Sequence, residues 1–108
     1  MENVNAKMTD REVGQALAAE RGWRREGEEL VRELQLRDFD QALSFVERLA
    51  ELANDYGRCP DMCISRFNRV RLSISNPRHA GFMLQEMRLA AKVNAAIEGH
   101  GSEAWEAS

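Results

Sequence analysis

The stretch from Asp38 to Gly57 constrains the fold more than any other part of the chain. Asp38 suits a helix N-cap, and Gln41 stands at the third helical position, where it can reach back to the cap. Phe39, Ala42, Leu43, Val46, Leu49, Ala50, Ala53 and Tyr56 recur at helical spacing. At about 100° per residue they share one face. Phe45 and Leu52 lie beside Leu49 and Tyr56 and widen the apolar arc to roughly half the circumference. Gly57 fits the C-terminal stop. A helix lying on one sheet needs a narrower stripe. The excess has two readings: Phe45 and Leu52 face a second copy or a partner, or they sit at the edge of the core.

Around this helix the pattern alternates between periods. Thr9 and Glu12 have capping-box spacing, and Val13, Ala16 and Leu17 make a narrow stripe, so a short first helix begins at Thr9 and stops near Gly22. Gly14 weakens it by about 1 kcal/mol relative to Ala, so it must lean on a partner surface. Leu30, Leu34 and Leu36 fall on one face of a two-residue period and Glu33 and Gln35 on the other. Residues 22–26 and 29–36 therefore read as a hairpin. Beyond Arg58 to Asp61, a tight connection, Met62 to Phe67 reads as a strand with a turn near Asn68. Val70, Leu72 and Ile74 alternate with Arg71, Ser73 and Ser75, a strand with one wet face that Asn76 and Pro77 stop.

Residues 82–98 predict the third helix, with Met83, Ala90, Val93 and Ile97 on one arc and Leu89 beside them. Glu86 falls inside that arc, one turn from the helix start. The helix dipole favours a carboxylate there and burial disfavours it.

The order is α-β-β-α-β-β-α, an α+β fold with a four-stranded antiparallel sheet and three helices on one face. Residues 1–8 are polar and patternless and are expected to be a flexible start. Residues 9–99 form the domain, and 100–108 are an acidic, flexible tail carrying Trp105.

Composition excludes several classes. The chain has 108 residues, enough for one domain and hardly two. A net charge of −3 argues against a nucleic-acid binder that relies on a bulk basic face. No apolar run reaches the length of a membrane span, and Met1 to Met8 lacks the pattern of a signal peptide. Two cysteines, Cys59 and Cys63, are too few for a disulfide scaffold, so a soluble cytosolic protein with reduced thiols is expected. Their spacing is not that of a zinc knuckle. With only His79 and His100 to complete a site, no metal is expected. Arg66, Arg69, Arg71 and Arg78 form a local basic cluster, either a solvated sheet face or a docking patch for an acidic partner surface.

This arrangement, with several residues in order, resembles the pterin-4a-carbinolamine dehydratase family. The matching residues are Gly22 and Trp23, Leu36 through Phe39, Ala42 to Phe45, Pro60 and Asp61, Arg66 through Val70, Gly81, and Leu89 with Ala90. The resemblance covers about residues 9–98. It implies an active site of His-His-Pro-Asp after the second helix, a third His after the last strand, and an acidic residue early in the last helix. Here the first two His positions are Arg58 and Cys59, followed by Pro60 and Asp61. The third His position is Pro77, and the acidic position is Glu86. One extra residue stands between Asp61 and Arg66.

These departures have chemical weight. Dehydrating a 4a-hydroxy pterin takes a proton from nitrogen and gives one to the leaving hydroxyl, work that suits an imidazole titrating near neutrality. Arg58 keeps its proton and has no acceptor lone pair. Pro77 offers no side-chain acid or base, and a Cys59 thiol is a poor substitute. General acid–base catalysis is typically worth about 10²–10⁴-fold, so the dehydratase reaction is expected to be lost. The remaining role is binding or assembly, without a cofactor. One branch of dehydratase-like proteins lacks the catalytic His residues and serves as a Rubisco assembly factor linked to the α-carboxysome, and the chain is similar to it in size, fold and missing His set. That similarity implies Rubisco subunits as partners, self-association as a homodimer or higher oligomer, and a cytoplasmic, carboxysome-associated location. Candidate contacts are Phe45, Leu52, Arg69, Arg71 and Trp105. The alternatives are a divergent dehydratase using Glu86 with Cys59, or a protein-binding cofactor like the transcription-factor dimerisation cofactors among animal relatives.

Overall fold

The computed structural model describes residues 7–76, 82 and 84–98. The expectations placed on Pro77, Arg78, Met83 and the tail with Trp105 lie outside the described residues. Seven elements follow in the expected order: α1 (Asp10–Ala19), β1 (Arg24–Glu26), β2 (Glu29–Gln35), α2 (Phe39–Tyr56), β3 (Asp61–Ser65), β4 (Arg69–Ile74) and α3 (Leu84–Glu98).

The helix ends are set locally. Thr9 Oγ1 accepts from the Glu12 N–H at 3.1 Å, and Glu12 Oε1 accepts from the Thr9 N–H at 2.8 Å, a closed capping box. Asp38 Oδ1 accepts from the Gln41 N–H at 2.8 Å, and Gln41 Oε1 accepts from the Arg37 N–H at 2.6 Å. Gly57 closes α2 at a φ of 85°, a left-handed conformation in which glycine carries no Cβ penalty. α1 stops at Ala19, short of Gly22. Its start is anchored: the Met8 N–H donates to the Phe82 carbonyl at 2.8 Å, and Met8 packs on the core, so the ordered chain reaches upstream of Thr9.

The strands form one antiparallel sheet in the order β1-β2-β4-β3. Register places Leu30 opposite Ile74, Arg32 opposite Leu72, and Leu34 opposite Val70. These positions share the face that meets the helices. Its apolar members, with Phe45 and Leu49 of α2 and Leu89, Ala90 and Val93 of α3, form the core. The three helices lie on this one side.

The outer face carries charge. Glu26 accepts from Arg24 at 2.6 Å and from Arg71 at 2.9 Å, and Arg24 also reaches Glu33 at 2.7 Å. The Arg71 and Arg24 guanidiniums hold the Glu26 carboxyl below the usual carboxylate range. Hydrogen bonds from Arg24 to Glu33 and Glu26 raise the Arg24 guanidinium in turn. All of these groups are exposed, so the network contributes little stability and is screened by salt.

Three polar residues, Arg32, Glu86 and Asn94, lie inside among the described residues. Arg32, on the core face of β2, is buried at 4% exposure. Its Nη1 donates to the Arg21 carbonyl and, at 3.0 Å, to Asn94 Oδ1 of α3. Trp23 Nε1 donates to the same Asn94 oxygen at 2.9 Å, and Asn94 Nδ2 donates to the Arg21 carbonyl at 3.0 Å. The network ties the α1–β1 connection to α3 through the first strand pair. Gly22 is required here: its φ is +86°, and a Cβ would meet the Arg32 guanidinium.

Two expectations from the sequence are corrected. Phe45 is fully buried at the centre of the α2 stripe with Ala42, Leu49 and Ala53, while Phe39 and Leu43 are exposed. The helix is seated on the sheet along the Phe45 side of its wide apolar arc, so Phe45 is core and offers no surface to a partner. β3 ends at Ser65, because Arg66 and Phe67 both take positive φ, 51° and 57°, which breaks the extended pairing.

Candidate functional site

The left-handed turn at Gly57 redirects the chain from α2 into β3 within four residues, and those residues line the site. Arg58 follows the turn directly. Its Nη2 lies 3.1 Å from Glu86 Oε2 in the first turn of α3. The Glu86 side chain is fully buried, whereas the Arg58 side chain keeps about a third of its exposure, 34%. The pair therefore joins a carboxylate inside the fold to a guanidinium at its mouth. Tyr56 Oη donates to the Gln85 carbonyl at 3.3 Å, a second tie between the end of α2 and the start of α3.

Beside Arg58 lies an open groove of about 320 Å³, lined by Ala50, Ala53, Asn54, Gly57, Arg58 and Cys59. Cys59 is an exposed free thiol whose Sγ donates to the Pro60 carbonyl at 3.1 Å. Pro60 is buried, and Asp61 opens β3 in the exposed position opposite Ser73. The structure thus brings Arg58 and Glu86 together, keeps Cys59 and Pro60 next to them, and turns Asp61 to the sheet edge. Pro77 lies outside the described residues.

This arrangement holds charge in place. The guanidinium keeps its proton and can only donate. No histidine stands among the described residues, nor any group of three His, Cys, Asp or Glu side chains that could hold a metal ion.

The expected protein-contact residues scatter. Leu52 is half-buried against the core. Arg71 is engaged with Glu26 in the outer-face network. Arg69 remains exposed. The large exposed apolar side chains among the described residues are Phe39, Leu43 and Phe67, at 47%, 41% and 63%. Sequence periodicity had assigned the first two to the buried face and the third to a strand. The signal that could have placed Phe67 is its position beside Asn68, at the turn.

Comparison with known proteins bears on this geometry. Residues 6–96 match the family model described as pterin 4 alpha carbinolamine dehydratase. The chain belongs to that family. A Thermomicrobium roseum protein named for pterin-4-alpha-carbinolamine dehydratase is 35% identical over 88 residues, 82% of this chain and 94% of that one. A similarly named protein of Chloroflexus aurantiacus is 34% identical over the same shares. Among solved structures, a transcriptional coactivator/pterin dehydratase from Brucella melitensis superposes with a TM-score of 0.75 at 26% identity, covering 83% of this chain and 97% of that chain. A pterin dehydratase-like protein described as a RuBisCO assembly factor in the α-carboxysome shares the fold, with a TM-score of 0.56 at 19% identity over 70% of this chain and 87% of that one.

In this member of the family, Glu86 in the first turn of the last helix and Arg58 after α2 are bonded to each other. No described helix is long and apolar enough to cross a membrane.

Proposed function

We propose that this member of the pterin dehydratase family does not dehydrate pterins and acts as an assembly factor for Rubisco. The observation that carries the first half is the Arg58–Glu86 pair. The carboxylate that could act as an acid or hold a guanidine-like pterin edge is already bound by a permanent cation of the same chain. Cys59 is turned onto the Pro60 carbonyl, away from a role as a base. The second half is supported by likeness to the solved α-carboxysome assembly factor in fold and by the absence of the family's His set at positions 58, 59 and 77. On this reading Rubisco subunits are the partners, and self-association would present the same surface more than once.

The test has two arms. Turnover of a 4a-hydroxytetrahydropterin by the purified chain should stay near the uncatalysed rate. Co-expression with the large and small subunits of an α-carboxysomal Rubisco should raise the yield of assembled, active holoenzyme. Turnover comparable to a family member with intact His residues would overturn the first half, and an unchanged yield the second.

A second reading, a divergent dehydratase, is favoured by the higher identity to the Brucella protein. It requires turnover that is lost on Glu86→Ala.

A further inference from the structure

We propose that the β3–β4 turn and the start of α2 form a docking surface for an acidic protein segment that also carries apolar side chains. This inference rests on the fold and not on the role proposed above.

The surface is built at one end of the sheet. Asn68 Nδ2 donates to the Leu36 carbonyl at 2.9 Å, and the Leu36 N–H donates to the Asn68 carbonyl at 2.8 Å. These two bonds fix the turn beside the connection that leads from β2 into α2. Phe67 stands on the turn, Phe39 opens α2, and Leu43 follows one helical turn later. The three large apolar side chains exposed among the described residues therefore gather at this end.

Phe67 is the centre. It is 63% exposed, so its ring gains little from burial in this chain. Its φ is +57°, and that of Arg66 is +51°. A non-glycine residue held there costs on the order of 1 kcal/mol, which asparagine or glycine would largely avoid. Two adjacent residues thus bear strain at a turn closed by the Asn68 N–H on the Arg66 carbonyl at 2.7 Å, while the Phe67 ring stays mostly exposed. The strain points outward, to a use for the ring and for the guanidinium beside it.

Charge selects the partner. Among the described residues neither Arg66 nor Arg69 has a carboxylate partner, in contrast to Arg24, Arg25, Arg37, Arg58 and Arg71. Both are exposed on or beside the turn. The positive charge is local to the turn, since the start of α2 carries Asp38 and Asp40, so the guanidiniums of Arg66 and Arg69 beside Phe67 are where an acidic segment would be met. Arginines flanking an exposed aromatic match the composition of sites that dominate protein contacts, where the ring fills an apolar pocket and the guanidiniums meet carboxylates.

The probe is a short fluorescent peptide of repeating Asp-Glu-Leu, titrated with the full chain. Two control peptides replace Leu by Ser, or the acidic residues by Lys. The Asp-Glu-Leu peptide should bind and both controls should bind at least about 10-fold more weakly. Phe67→Asn removes the ring in a backbone conformation that asparagine tolerates, so the variant should melt no lower than the parent yet bind about 10-fold more weakly. Arg66→Glu with Arg69→Glu should do the same, and the parent's affinity should fall as salt rises. Equal binding of the Ser peptide would reduce the surface to charge alone and overturn the proposal. So would binding of the Lys peptide, indifference to both variants, or a drop in oligomeric mass on Phe67→Asn, which would make the patch a contact between copies of this chain.

Discussion

Replacing Arg58 by Ala separates a structural pair from an incidental contact. Glu86 is fully buried and loses a guanidinium 3.1 Å away. Breaking a buried ion pair by removing one partner costs about 3–5 kcal/mol, because a charge is left inside without its counterpart. Here the arginine end retains 34% exposure, so solvent screens part of the attraction and the expectation falls to about 2–3 kcal/mol. At about 4–8 °C per kcal/mol for a domain near this size, the melting point should drop by roughly 8–24 °C. Urea unfolding followed by circular dichroism measures the change as a shift of midpoint at constant slope. The decisive variant is the double replacement with Glu86→Gln. A neutral amide is far cheaper to bury than a carboxylate, so the double variant should recover about 1 kcal/mol or more over Arg58→Ala alone. A loss below about 0.5 kcal/mol on Arg58→Ala, or no recovery in the double variant, would refute the view that the arginine stabilises this carboxylate.

Four further outcomes follow from the packing. Gly22→Ala should cost about 1–2 kcal/mol or more in thermal unfolding, since it adds left-handed strain and drives a Cβ into the Arg32 guanidinium. Asn94→Ala should cost about 2–3 kcal/mol by the same assay, because the Arg32 and Trp23 donors lose the oxygen they share. Phe45→Ala should cost about 3–5 kcal/mol, whereas Phe39→Ala should stay within about 0.5 kcal/mol, which chemical denaturation of the two variants compares directly. Glu26 is held below its ordinary value of 4.5 by Arg71 and Arg24. A depressed carboxyl contributes stability above the unfolded value and loses it as pH falls, so the melting-point gap between the parent and Glu26→Gln should be present at neutral pH and close below about pH 4.5. High salt should narrow the gap.

What the sequence disclosed was local. The caps at Thr9 and Asp38 and the stop at Gly57 depend on residues three or four apart, so spacing alone revealed them. The alternation through Val70, Leu72 and Ile74 gave β4 and its wet face because a strand reads with period two whatever it packs on. The seating of α2 was hidden. Its apolar arc is wide enough to admit several orientations, and only the sheet decides that Phe45 goes in while Phe39 and Leu43 stay out. Arg32 was hidden for the opposite reason: its phase with Leu30 and Leu34 points inward, but its charge argues outward, and Asn94, 62 residues away, settles the matter. In the site, family resemblance supplied positions 58 and 86 separately. Their bond spans 28 residues and has no local signal.

That bond is the physical ground for the function proposed above. A dehydratase needs groups that exchange a proton near neutrality and stay free to meet substrate. Here the buried Glu86 carboxyl group is instead bonded to the Arg58 guanidinium, which can only donate. The pair fastens the chain after α2 to the first turn of α3, with the Tyr56 hydroxyl on the Gln85 carbonyl as a second clasp. Strain tells the complementary story. Here it sits at an exposed turn, in Arg66 and Phe67, where neither residue stabilises the interior. On the function proposed above, activity is to be sought at the surface, where Phe67 and the arginines beside it stand exposed, and the peptide titration tests that placement directly.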